Sequence, residues 1–339
     1  MSENLLEVKN LKINFKTYAG IVQAVRGVNF EVKQGETLCI VGESGSGKSV
    51  TSNALMKLIP QPPGIYAEGQ ILFDGRDLVP MTEKEMTKIR GNEIAMIFQD
   101  PMTALNPTMR IGKQIMEVIL KHKKNTSKAE AKKRAIELID QVGIPFPEQR
   151  FKQYPHEFSG GMRQRIVIAI ALAAEPKLLI ADEPTTALDV TIQAQILDLL
   201  IELQQETNAG IMLITHDLGV VAEVATRVAV MYAGQVIEVA PVEELFRNPK
   251  HPYTRSLLNS IPQTERDHDR LQVIQGMVPT LTKMPKSGCR FAPRIPWVSE
   301  NAHEVEPQMH EISPGHLVRC TCWQTFNFEE QETKEGVVQ

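Results

Sequence analysis

The stretch LCIVGESGSGKSVTSNA, residues 38–54, decides how the rest of the chain is read. A short apolar run at 38–41 breaks into a glycine-rich loop at 42–47 and resumes as a helical pattern whose first turn carries Lys48, Ser49 and Thr51. That order, strand then loop then helix, builds an anion cradle. Gly42, Gly45 and Gly47 permit backbone conformations that a Cβ would forbid, so the N–H groups of the loop, through Glu43, Ser44 and Ser46, can turn inward. The helix start adds its own unpaired N–H groups and the positive end of its dipole. Lys48 would then reach the outer phosphates of a nucleoside triphosphate, and the Ser49 hydroxyl would hold a magnesium ion. A glycine-rich turn without a ligand is the plainer alternative.

Composition sets the bounds around this loop. At 339 residues the chain exceeds the usual single-domain size, and it can bury a sizeable core. Hydrophobic content of 42%, charged content of 23% and a net charge of −4 give no basic stripe, so no nucleic-acid partner is expected. The start MSENLLEVKN lacks a basic segment followed by an apolar one, which argues against secretion. The longest apolar run, residues 166–174, is far too short to cross a bilayer. Cys39, Cys289, Cys320 and Cys322 form no regular disulfide framework, which suits a reducing cytoplasm.

Before the loop, residues 6–33 alternate apolar and polar positions and predict two or three antiparallel strands. Phe15 and Tyr18 lie there; each is open to stacking on an adenine ring or to an ordinary core or edge position. After the loop, IAMIFQD at 94–100 predicts a buried strand ending on Gln99, where open α/β sheets place ligands. Residues 108–142 change to helical spacing, with an N-cap at Ser127 and a stop at Gly143, so 101–158 is expected as a helical insertion.

FSGGMRQR, residues 158–165, opens another helix. Ser159 is its N-cap, and Gly160 and Gly161 leave backbone N–H groups uncovered. KLLIADEPTTALD follows at 177–189, and its apolar strand delivers Asp182 and Glu183 side by side. Adjacent acids at a strand end repel one another and lose hydration, a cost suited to cation binding or proton transfer. Asp182 would hold magnesium and Glu183 would act as general base toward water, although an acidic helix cap would look the same. IMLITHDL, residues 211–218, ends a further buried strand near His216, and RVAVMYAGQVIEVA predicts a hairpin turning at Ala233 and Gly234 that closes the domain near residue 240. Beyond it come a proline-bounded helix in NPKHPYTRSLLNSIP, a linker at 264–270, a small irregular module with three cysteines, and a disordered tail at 326–339.

In this order, the loop at 42–49, Gln99, Ser159 to Gly161, Asp182 with Glu183, Asp189 and His216 resemble the motifs of ATP-binding-cassette (ABC) transporter ATPases, over roughly residues 5–325. The resemblance implies a P-loop NTPase of RecA-like α/β core with an antiparallel β subdomain and a helical subdomain, at 1–240, followed by a C-terminal extension at 241–325. It also assigns roles to matching residues. Lys48 and Ser49 bind ATP and magnesium, Gln99 reaches the γ-phosphate and the metal, His216 contacts the γ-phosphate from the other side, and Glu183 activates water; Tyr18 is counted among the ATP-binding candidates, with the choice of stacking aromatic left open. Ser159, Gly160, Gly161 and Gln164 would bind the ATP held by a partner subunit, and Asp189 would bridge the two sites.

FQDPMTALNP after Gln99 and NPKHPYT after the core resemble the branch that imports oligopeptides and dipeptides. That resemblance implies a second ABC ATPase, two transmembrane permease subunits, an extracellular peptide-binding lipoprotein, and a peripheral place on the cytoplasmic face of the membrane. Dipeptide or nickel import is an alternative substrate reading. A soluble cassette protein acting on ribosomes or in DNA repair is another, but such proteins carry two cassettes or a long coiled-coil insertion, and neither is seen here. Many members of the branch carry GCRFxPRC and two later cysteines that can hold an iron–sulfur cluster. Here GCRFAPRIPWVSENA keeps Cys289 but has Ile295 and, by alignment, Ala302 at cysteine positions; Cys320 survives and Cys322 offers a third thiol. No iron–sulfur cluster is expected.

Overall fold

The computed structural model describes residues 4–18, 20–185, 190–260, 274 and 279–328. Strands β1 (Asn4–Thr17), β2 (Gly20–Lys33), β4 (Gly64–Phe73) and β5 (Arg76–Asp77) form an antiparallel sheet in the order β2–β1–β4–β5. A second sheet holds β3 (Thr37–Val41), β6 (Ile94–Ile97), β7 (Leu178–Asp182), β8 (Gly210–Ile214), β9 (Arg227–Tyr232), β10 (Gln235–Pro241), β11 (Met309–Ser313) and β12 (His316–Arg319). Its order is β11–β12–β10–β9–β3–β8–β7–β6. The stretch from β9 through β3, β8 and β7 to β6 is parallel, and β10, β12 and β11 pair antiparallel at one end.

The central strands read as continuous apolar runs because both of their faces are covered. Leu38 and Ile40 of β3 join one core cluster, shared with the antiparallel sheet, while Cys39 and Val41 join the other. Strands β7 and β8 divide in the same alternating way, Leu178 and Ile180 or Met212 and Ile214 on one face, Leu179 and Ala181 or Ile211 and Leu213 on the other. The α/β fold with a separate antiparallel sheet is therefore as expected.

The helices are α1 (Lys48–Leu55), α2 (Glu83–Ile89), α3 (Pro101–Ala104), α4 (Ile111–His122), α5 (Lys128–Gln141), α6 (Pro147–Arg150), α7 (Gly160–Leu172), α8 (Val190–Thr207), α9 (Leu218–Val224), α10 (Val242–Arg247) and α11 (Pro252–Asn259). Helix α5 shows why the insertion is helical. Ser127 and Glu130 close a reciprocal capping box, Ala131, Ala135, Leu138 and Ile139 bury one stripe, and Gly143 stops the helix at a φ of 70°.

The C-terminal part differs from the sequence expectation. The hairpin between β9 and β10 does turn at Ala233 and Gly234, but the sheet does not end near residue 240. The stretch read as a small irregular module supplies β12, which pairs Val318 with Glu238 and Leu317 with Val239, and β11 beside it. Glu238 and His316 are both fully buried at this seam and bond through Oε1 and Nε2 at 2.8 Å. Phe326, placed by the sequence reading in the tail, is buried and packs against Trp297 and Phe328. The expected linker at 264–270 and the remainder of the tail from 329 lie outside the described residues.

Candidate nucleotide site

The loop after β3 takes the conformation that its glycines allow. Gly42, Gly45 and Gly47 have φ of 151°, 77° and 99°. A Cβ on Gly42 would stand 2.2 Å from the Met231 carbonyl oxygen, and one on Gly47 would stand 3.1 Å from that of Ala24. The cradle thus exists only where side chains are missing. Lys48 is buried at its rim and donates from Nζ to the carbonyl oxygens of Gly42 at 2.7 Å and Glu43 at 3.1 Å. Burial lowers its pKa, while the nearby carboxylates of Glu183, Asp182 and Glu43 act the other way.

Not every loop amide faces inward. The N–H of Glu43 donates to the Tyr253 hydroxyl at 2.8 Å, and that of Ser46 to the Glu43 carbonyl at 3.1 Å. These two groups, expected in the cradle, are engaged within the protein. The Glu43 carboxylate meets Arg294 at 3.5 Å. Tyr253 lies on α11 and Arg294 in the C-terminal region, and the sequence reading assigned neither to the site; the HPYT motif was the one available signal for Tyr253.

Across the loop, Ser49 Oγ donates to Asp182 Oδ1 at 3.2 Å, and Ser52 Oγ, one turn further along α1, lies 3.3 Å from Oδ2. Ser52 was not foreseen, although its spacing from Ser49 places both on one face of the helix. Asp182 is buried, and desolvation raises its pKa against the opposing hydrogen bonds from the two serines. A hydroxyl, a carboxylate and no sulfur or imidazole make a hard all-oxygen donor set, which fits magnesium.

Glu183 follows directly, at a φ of 49°, with its N–H bonded to the Ile214 carbonyl at 2.9 Å. Gln99 Nε2 donates to Glu183 Oε2 at 2.9 Å, and His216 Nδ1 stands 3.5 Å from Oε1. The ends of three strands, β6, β7 and β8, therefore converge on one carboxylate. Gln99 is bonded to Glu183 and not to Ser49 or Asp182. Asp217, next to His216, caps α9 and accepts from Gln193 at 3.0 Å.

Tyr18 is fully exposed at the β1–β2 turn, whereas Phe15 packs against the core shared by the two sheets. Ser159 caps α7 by accepting from the Met162 N–H at 3.3 Å, and a Cβ on Gly160 would meet nothing within 4 Å, so this helix start is open. Gln164 is different: it was expected on the same open surface, but its side chain is only 1% exposed and is turned into the core. Asp189 lies outside the described residues.

With this geometry in hand, similarity to known proteins is informative. A family model described as ABC transporter matches residues 25–186, and one described as the C-terminal region of oligopeptide/dipeptide transporters matches 237–301. The oligopeptide transport ATP-binding protein OppD of Bacillus subtilis is 63% identical over 316 residues, 93% of this chain and 88% of the relative. The dipeptide transport ATP-binding protein DppD of Lactococcus lactis is 58% identical over 317 residues, 94% of this chain and 90% of the relative. A dimeric ATP-binding cassette solved in a post-hydrolysis state with ADP and Pi superposes with a TM-score of 0.63 at 30% identity, over 70% of this chain and 98% of its own. The chain belongs to the ATP-binding subunits of ABC transporters, in their oligopeptide/dipeptide branch.

Proposed function

We propose that this chain hydrolyses ATP to drive uptake of oligopeptides through membrane permease partners. The observation that carries the reading is the Glu183 carboxylate, held between Gln99 at 2.9 Å and His216 at 3.5 Å beside the Ser49–Asp182 pair and the glycine loop. In this reading the loop and the start of α1 bind the polyphosphate through backbone N–H groups, and Lys48 neutralises the outer phosphates. Ser49 and Asp182, with Ser52 behind, hold magnesium, which when bound screens the charge that builds on the phosphate oxygens. Glu183 accepts the proton of the attacking water; the hydrogen bond from Gln99 to one carboxylate oxygen, with His216 standing beside the other, aims it. Tyr18, exposed at its turn, is free to stack on the adenine.

The open helix start at Ser159 and Gly160 supports a split site, in which this surface meets the nucleotide held by a second ABC ATPase subunit. Binding of ATP then closes a dimer and hydrolysis reopens it. Among the described residues no helix is long and apolar enough to cross a membrane. In this reading two transmembrane subunits carry the peptide across. An extracellular peptide-binding lipoprotein would select the substrate, and this chain would sit at the cytoplasmic face. Dipeptides are the second substrate reading, favoured by the similarity to DppD.

The experiment is Glu183→Gln. ATP binding should persist while turnover falls by about two orders of magnitude or more, the usual contribution of a positioned base. Turnover that survived the substitution would remove Glu183 as the base.

A further inference from the structure

A second cluster of reactive side chains lies in the C-terminal region, outside the nucleotide chemistry. Cys289, His303, Cys320 and Cys322 each direct one ligating atom toward a common centre, and all four atoms lie within 4.8 Å of one another. The thiols are buried in the larger core cluster beside Phe291, Ile295, Val298 and Phe326. His303 is partly buried, and its Nδ1 has no hydrogen-bond partner. The sequence reading looked for a cysteine at Ala302 and missed the imidazole one residue on.

The four ligands come from separate pieces of backbone. Cys289 begins the segment that leads to Arg294, His303 follows the short helical turn Glu300–Ala302, Cys320 follows β12, and Cys322 opens the turn Cys322–Gln324. Cys320 sits at a φ of 65°, a conformation non-glycine residues adopt at a cost. The N–H of Glu304 donates to its Sγ at 3.4 Å, the kind of outer hydrogen bond that supports a ligating thiolate. Arg26 and Arg319 lie near enough to interact electrostatically with Cys289, which offsets the excess negative charge of three thiolates around a dication.

These residues do not fit an iron–sulfur cluster of the four-thiolate kind. Ile295 is wholly buried where a cysteine would be needed, and a multi-iron core spreads its thiolates further apart than this cluster does. A single tetrahedral zinc, with Zn–S of about 2.3 Å and Zn–N of about 2.0 Å, separates its ligand atoms by about 3.5–3.8 Å. The observed spacing is within reach of that. Three sulfurs and one imidazole, with no carboxylate and no open position, are the donor set of a structural zinc.

We propose that Cys289, His303, Cys320 and Cys322 bind one zinc ion, which pins the segment 289–294 to the end of β12. The consequence reaches the nucleotide loop. Arg290 in that segment donates to the Ala233 carbonyl of the β9–β10 turn, and Arg294 pairs with Glu43. Zinc would thereby hold Arg294 against the loop itself and Arg290 against the turn whose Gly234 N–H donates to the loop's Ser46 carbonyl at 2.8 Å.

The test is elemental analysis and acid-labile sulfide on the full-length chain, purified anaerobically from cells supplied with both zinc and iron. The expected result is about one zinc per chain, with neither sulfide nor visible absorption. Cobalt substituted for zinc should then show the visible bands of a tetrahedral thiolate site. His303→Ala should weaken zinc retention about tenfold or more in competition with a chelator, and His303→Cys should restore it. A chain without stoichiometric metal, a brown chain with iron and sulfide, or a His303→Ala chain that holds zinc as tightly as the original would each overturn the proposal. If His303→Ala fails to fold, zinc content of the unaltered chain and of His303→Cys still decides.

Discussion

The hydroxyl of Tyr253 stands 2.8 Å from the backbone nitrogen of Glu43 and accepts its hydrogen. Helix α11, more than two hundred residues from the glycine loop in sequence, is thereby bonded to the loop itself. Tyr253 is buried, edge-on to Phe291 and tilted against Tyr232, so its position is set by packing on both sides. Burial raises its phenol pKa, which keeps the hydroxyl neutral across the physiological range.

Tyr253→Phe keeps the ring and removes the acceptor from the Glu43 amide. A lost hydrogen bond of this kind costs about 1 kcal/mol, or about a fivefold rise in the Kd for ATP if the loop loosens by that amount. Nucleotide titration of the variant checks it. Unchanged affinity would mean that the loop holds its shape without α11.

Two of the loop glycines, Gly42 and Gly45, should not respond alike to alanine. Gly42→Ala forces a methyl to 2.2 Å from the backbone oxygen of Met231, which cannot be relieved by turning a side chain, so ATP binding should be lost. At Gly45, where nothing lies within 4 Å, only the φ of 77° opposes alanine, at about 1–2 kcal/mol. Side-by-side binding and thermal-unfolding curves distinguish them; equal losses would contradict the steric account.

Glu238 gathers the C-terminal region onto the sheet. Its buried carboxylate accepts from the N–H of Lys250 at 2.8 Å, the N–H of His251 at 2.9 Å and the ring of His316 at 2.8 Å, the last two fully out of water. Glu238→Ala leaves these donors unpaired and should destabilise the fold by about 3–5 kcal/mol. Glu238→Gln retains an acceptor and should cost less. Denaturant unfolding of both variants measures the difference, and equal stability of the alanine variant and the original would rule out this role.

Much of the fold was legible because burial on both faces leaves an unmistakable mark. Strands β3, β7 and β8 are short unbroken apolar runs, and each ends where polar residues begin, so Asp182, Glu183 and His216 could be placed from sequence. Gln164 could not, because α7 is apolar on most sides and proximity to Gly160 says nothing about which way a side chain turns. Strand β11 escaped notice because its residues are mostly exposed and carry no alternation. Tyr253, Arg294 and His303 were missed for another reason: each owes its role to contacts made across long stretches of chain, and local pattern does not report them.

The most direct test of the transport reading is recovery of this chain from detergent-solubilised membranes of its own cell, with identification of what co-purifies. The account predicts two multi-span proteins, a second cassette ATPase and a peptide-binding lipoprotein. Recovery in the soluble fraction, alone or with ribosomes, would contradict it and leave only the ATPase chemistry standing.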